Sequence, residues 1–410
     1  MAWRPCCDFA LSIGLDCSGR DPLRGIDRGR GASWAILADV EDFPHAPSGY
    51  LDAVGGQRVL DAARTAASIA QADGWADPTR LHHQGRKAGI LLDAARASIA
   101  ASLTSVADEP IAADEVHFAP SMAAAARAAL HGIPDGIVAS RVETALLLDL
   151  ADERPGSILI DVDSTGRVDL TTFARALSTG GFGCLQAANA EVGTIQPVSE
   201  LARLGHGGPL LVDAGQLIGR ARLPAGWTVL MASARDWAGP AGVCVVVVRR
   251  RARWQAPASA IRGWLDGFPD IPAAIGAASA LEFVLPRAEA EAHRARALID
   301  RVRSAAAAIP DVEVLGDPID RLPHIVTFSV LYASGEAIVT EFDRRGFAVA
   351  SGSACMAESQ RPSHVLAAMG AYTGGNVRVS LPFGCSEASV DAFIEALPNV
   401  VGSIRGDALG

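Results

Sequence analysis

Apolar residues in this chain follow two rhythms. Between residues 116 and 250, short apolar runs recur: VHFAP (116–120), GIVAS (136–140), SILIDVD (157–163), GCLQAANA (183–190), PLLVDAG (209–215), WTVLMASA (227–234) and GVCVVVVRR (242–250). Runs of four to eight apolar residues bounded by turn formers read as strands buried on both faces. Between them lie stretches with apolar residues three and four apart. MAAAARAALHG (122–132) and VSELARLG (198–205) are two such crossovers, and LLDAARASIAASL (91–103) is an amphipathic helix ahead of the first strand. A helical pattern is already expected from Tyr50. Strands alternating with helices predict an α/β fold whose large domain, 49–289, holds a mostly parallel seven-stranded sheet covered on both faces.

After a proline-rich stretch at 256–273, the helical segment AAIGAASALEFVL (273–285) leads into a different pattern. Strands are expected at VEVLG (312–316), HIVTFSV (324–330), FAVAS (347–351) and NVRVSL (376–381), with helices at 335–345, 362–369 and 387–397. This predicts a small α+β domain over 290–410. Residues 1–48, with GRDPLRGIDRGRG and little periodicity, read as a disordered tail or a start codon placed too early.

Composition narrows the function classes. Thirty-six basic against 46 acidic residues give a formal charge of −10, and no basic run interleaves with aromatics, so nucleic acid is not expected as a partner. The seven cysteines (Cys6, Cys7, Cys17, Cys184, Cys244, Cys355, Cys385) form no CxxC pair, so neither a disulfide framework nor a metal site is expected. The longest apolar run, Val243 to Val248, is too short to span a bilayer, and no membrane is expected. A reducing cytoplasm fits these features. Lysine occurs once, at Lys87, so nearly all the positive charge is arginine.

The segment FAVASGSACMAESQRPSHVLAAMG (347–370) resembles the mobile S-G-S-A-C loop of the cysteine desulfurases, class V aminotransferase-like enzymes that use pyridoxal phosphate. YLDAVGGQRV (50–59), HHQGRKAG (82–89), GRVDLTTFARAL (166–177), AEVGTIQPVSEL (190–201), VDAGQLIGR (212–220), SARDWAGPAGVCVVVVRRR (233–251) and NVRVSL (376–381) match other family motifs in the family's order. The resemblance implies the fold type I architecture and a homodimer with sites at the subunit interface. Carried over residue by residue, it implies that Cys355 is the persulfide cysteine, that Arg378 binds the substrate carboxylate as a planar fork, and that three cofactor contacts survive. These are Asp213 at the pyridine nitrogen, Gln216 near the phenolic oxygen and Ser233 at the phosphate.

Other positions depart from the family. The motif around the Schiff-base lysine reads S-x-H-K there and SARD here, placing Arg235 at the histidine and Asp236 at the lysine. A carboxylate cannot form an imine. Ala123 stands at a phosphate-binding threonine, Thr144 at the ring-stacking histidine and Ala190 at an asparagine. On these losses no bound cofactor is expected. Asp213 and Asp236 are expected close together, with Asp236 paired to Arg235, Arg220 or another arginine in place of the cofactor's charge. His82 and His83 are expected at a helix start, and Lys87 on the surface.

Three functions compete. The preferred reading is a desulfurase-like protein without pyridoxal phosphate catalysis, using Cys355 as a persulfide acceptor or carrier, as a homodimer or with an active desulfurase as partner, and passing sulfur to an acceptor protein. The others are an active cysteine desulfurase, making alanine and an enzyme persulfide for iron–sulfur or thiolation pathways, and a non-catalytic binding protein on the same fold.

Overall fold

The computed structural model describes residues 43–133, 136–205, 208–352 and 362–409. The chain enters as a strap over residues 43–57 and then forms helices α1 (Asp61–Ala70) and α2 (His83–Thr104). There follow β1 (Val116–Ala119), α3 (Met122–Ala129), β2 (Ile137–Ser140), α4 (Ala145–Asp152), β3 (Ile158–Ile160), α5 (Leu170–Ser178), β4 (Phe182–Cys184), α6 (Val198–Arg203), β5 (Leu210–Asp213), β6 (Val229–Ser233) and β7 (Cys244–Val248). The sheet order is β1-β7-β6-β5-β4-β2-β3, with β7 antiparallel to both neighbours and every other pairing parallel. The seven apolar runs are the seven strands.

Alternation along the central strands explains why the sheet is buried on both sides. In β6 and β7, Leu230, Ala232, Val245 and Val247 face one core, shared with Leu92 and Ile99 of α2 and Leu281 of α7 (Ile271–Val284). Val229, Met231, Cys244 and Val246 face the other, packed on Ala126 of α3 and Leu147 of α4. A continuous valine run therefore has no solvent face to satisfy. The segment Ile271–Ala307 is the one among the described residues long and apolar enough to cross a membrane, and two-thirds of its apolar window is buried against the rest of the protein.

Helix α8 (Ala288–Ala307) leads to a second core. There β8 (Val312–Val314), β9 (Ile325–Val330) and β10 (Asn376–Ser380) form an antiparallel sheet in the order β10-β9-β8, covered by α8, α9 (Gly335–Arg344) and α11 (Glu387–Leu409), with α10 (His364–Ala368) preceding β10. Phe328, Phe342 and Phe393 fill its centre. The expected strand at 347–351 is absent as a ladder. Ala348 and Ala350 make single bridges, to Tyr50 of the strap and to Arg378. The helical pattern expected from Tyr50 likewise begins only at Asp61, because the intervening strap is held extended against β10 by the Asp52–Ser380 bridge.

Candidate functional site

Strands β5 and β6 run parallel and end side by side at Asp213 and Ser233. The carboxyl ends of parallel strands are where open α/β sheets place their ligands. A cavity of about 230 Å³ opens there, with Asp213, Gln216, Ser233, Asp236, Thr144 and Ala190 in its wall. Thr144, Ala190, Gln216 and Asp236 come from segments that follow strands, Asp213 and Ser233 are the last residues of theirs, and the cavity needs the sheet to bring them together.

Asp236 reaches the pocket through a 3-10 turn, Ala234–Trp237. The turn is pinned at its far end by Trp237, fully buried, whose Nε1 donates to Ala277 O (3.1 Å). Ala238 leaves it in the left-handed region at φ 59°. Gln57 of the strap donates to Asp236 O (2.7 Å). The Asp236 carboxylate accepts from Gln216 Nε2 (3.1 Å), while Asp213 accepts from Gly215 N (3.0 Å). Both carboxylates crowd Gly215: a Cβ there would lie 2.4 Å from Asp236 Oδ2 and 3.3 Å from Asp213 Oδ1.

Two carboxylates in one pocket raise each other's cost of ionisation. Burial, and then the Asp213 charge, push Asp236 up to about 7, and burial pushes Asp213 up to about 6. Behind them Glu143, fully buried, is pushed to about 8 by burial and then by Asp213. The Glu143 carboxylate accepts from the backbone of Gln186 and Thr144.

The expected closeness of Asp213 and Asp236 is found, but the expected arginine partner is not. Arg235 is exposed and donates to Gly55 O (2.5 Å). Arg220 lies over the Phe383 ring (3.7 Å) and donates to Leu381 O (3.0 Å). No ion pair to Asp236 forms among the described residues; Gln216 holds it instead.

Of the remaining predicted positions, some fall at the same cavity and others elsewhere. Thr144 precedes α4, and its hydroxyl is buried with no partner. Ala123 sits in the first turn of α3, after Ser121, whose hydroxyl accepts from Ala124 N (3.1 Å). Arg378 on β10 connects to the cavity wall by donating to Ala190 O (3.4 Å). Cys355 lies outside the described residues. Cys184 and Cys244 are buried in strands as expected, and burial pushes the Cys244 thiol up to about 12. His82 caps α2 by accepting from Gly85 N (3.2 Å), and Lys87 pairs with Asp73 at the surface (3.0 Å).

Three functional neighbours were not anticipated. Asp52 accepts from Arg378 Nη2 (3.1 Å) in a mostly buried pair. Gln57 accepts from Phe383 N (3.0 Å) while donating to Asp236 O, so it ties the segment after β10 to the pocket. Glu191 accepts from Ser363 Oγ (2.8 Å), and burial raises its pKa. Asp52 and Gln57 lie inside the quoted YLDAVGGQRV motif, and Glu191 inside AEVGTIQP, but no spacing rule marks a tertiary partner.

The model of class-V aminotransferases matches residues 57–393. The chain belongs to the class-V aminotransferase family. It is 34% identical over 380 residues to a cysteine desulfurase of Cereibacter sphaeroides, covering 87% of this chain and 96% of that one. It is 30% identical to the cysteine desulfurase NifS of Azotobacter vinelandii, covering 87% and 93%. Among solved structures, a NifS-like protein superposes with a TM-score of 0.75 at 22% identity over 87% of this chain, and one from Rickettsia africae with 0.77 at 19%. At such identities the structures establish the shared fold.

These matches correct the expectation that no cofactor is taken. Cysteine desulfurases are pyridoxal phosphate enzymes, so family membership points to that cofactor. The pocket fits the group without a covalent link. Asp213 would face a pyridinium nitrogen, the unpartnered Thr144 hydroxyl would meet a ring substituent, and Ser233, in one wall with Met122 at the start of α3, would take a phosphate. Pyridoxal phosphate supplies an electron sink for bonds to an amino acid's α-carbon. Asp236 offers a carboxylate where the family's motif has its amine.

Proposed function

We propose that this class-V aminotransferase works in sulfur transfer, holding a pyridoxal phosphate-type cofactor noncovalently and carrying sulfur on Cys355 as a persulfide. The observation that carries this reading is the wall of the β5–β6 pocket, where Asp213, Gln216 and Ser233 stand together and Asp236 replaces an amine. Asp213 would pair with the ring nitrogen and keep it protonated, Gln216 fixes Asp236, and Arg378 would receive a carboxylate. Sulfur then reaches Cys355 from an active desulfurase partner, and from there an acceptor protein. A cytoplasmic location and a homodimer belong to the same reading.

A second reading is favoured by the relatives named cysteine desulfurase: the chain itself converts cysteine to alanine and places the sulfur on Cys355. One experiment separates the two. The purified protein is incubated with cysteine and pyridoxal phosphate, with and without an active desulfurase, and alanine and the mass of the Cys355 peptide are followed. Persulfide that needs the added desulfurase supports the carrier; alanine released by the chain alone establishes the desulfurase. Absence of persulfide under both conditions sinks the sulfur-transfer reading.

A further inference from the structure

We infer that the pocket selects the amine form of its cofactor, pyridoxamine phosphate, with the Asp236 carboxylate accepting from the ligand's ammonium group. The inference rests on the noncovalent cofactor site proposed above and deepens it by naming which form is bound.

Charge complementarity carries the argument. Asp213 and Asp236 face one cavity of about 230 Å³. Arg235, also in the wall, is exposed and donates to Gly55 O without forming an ion pair to either acid, and Arg378 donates to Asp52 and Ala190. The only side chain donating to Asp236 among the described hydrogen bonds is the neutral amide of Gln216. The wall thus carries two acids that no cation pairs with among the described residues, and burial, joined at Asp236 by the Asp213 charge, raises both carboxyls.

A ligand that balances this wall needs two positively charged nitrogens, one for each acid. Pyridoxamine phosphate has both, a ring nitrogen for Asp213 and a primary amine, protonated at neutral pH like a lysine amine, for Asp236. The aldehyde form presents an acceptor oxygen, and its hydrate only neutral hydroxyls, so neither supplies the charge-assisted hydrogen bond that an ammonium makes to a carboxylate. Nor can the aldehyde be captured by condensation. Lys87, the one lysine, is paired with Asp73 on the outer surface of α2. The aspartate side chain is also two atoms shorter than a lysine side chain, which leaves room for the ligand's aminomethyl group.

Titration calorimetry on the full-length protein, with pyridoxal phosphate and pyridoxamine phosphate in turn, tests this. The amine form is expected to bind about tenfold tighter or more, the scale of one charge-assisted hydrogen bond. Asp236→Asn should erase the preference and Asp236→Glu should keep most of it, while Asp213→Asn should weaken both forms together. Circular dichroism checks that each variant is folded, and the wild-type comparison stands whatever the variants do. Equal or tighter binding of the aldehyde form by the wild type overturns the inference while leaving the cofactor site standing. An unchanged preference in folded Asp236→Asn also overturns it. Failure of both forms to bind removes the cofactor reading itself, and the inference with it.

Discussion

At the scale of single residues, the pocket's chemistry is set by acids that are costly to ionise. Asp236 illustrates the sign. Its folded pKa, about 7, lies above the ordinary carboxylate value, so the folded state holds the proton more tightly than the unfolded chain does. Stability from this group is fully present at pH below about 4 and is lost as pH rises towards 7. Asp236→Asn is therefore expected to raise the melting temperature at pH 8 by about 1–3 °C and to change it less at pH 5, as differential scanning calorimetry would show. A uniform loss at both pH values would mean that the carboxylate is a net stabilising acceptor for Gln216. Arg378 sets a second residue-scale expectation. Its Nε is buried without a partner and its Nη2 rests on Asp52. Asp52→Asn should cost roughly 1–3 kcal/mol in denaturant unfolding, because a mostly buried guanidinium loses its counter-charge. No change would place the pair among ion pairs that contribute little.

At the scale of elements, the strands of the large sheet could be read directly because each is an unbroken apolar run, and double-sided burial demands such runs. The segment 347–351 has the same look and forms no ladder, since its neighbours on both sides are the strap and one residue of β10. Helix ends were less legible: the helical start at His83 is where it was expected, but α11, expected to end at 397, runs on to Leu409 through Pro398, because packing rather than periodicity decides where a helix stops. The site divided in the same way. Asp213, Gln216, Ser233 and Asp236 were named from motifs, but the partner of Asp236 was misjudged, since charge alone favoured an arginine and only the fold turns Arg235 outward. Gly375 gives the test at this scale. It opens β10 at φ 63°, and an added Cβ would lie 2.1 Å from Val330 O. Gly375→Ala should cost about 2–4 kcal/mol and should displace Arg378 along with its strand. Unchanged stability on denaturant titration would mean that the turn can flip to accommodate it.

At the scale of the molecule, the core against the large sheet reaches apolar residues as late in the chain as Leu322, Ile325 and Phe383, and the thiols are sorted by burial. Cys184, Cys244 and Cys385 are all buried, and burial raises the pKa of each. Native-state alkylation followed by peptide mass spectrometry should leave these three unmodified for as long as the protein stays folded. Rapid labelling of any of them would mean that its core opens easily.

The strap has a consequence for how the molecule is made. Residues 49–57 leave the ribosome long before their anchors do: Gly49 donates to Ser389, Asp52 meets Arg378, and Gln57 meets Phe383. Partners more than 320 positions apart cannot pair while the chain is still growing, and the entropy of closing so long a loop defers them further. The large sheet can form during synthesis, but Gln57 can brace the turn bearing Asp236 only after β10 and the residues behind it have emerged. A nascent chain arrested before residue 376 would thus hold a folded sheet and an unfinished pocket, and closure of the strap would be the slow, final phase of refolding.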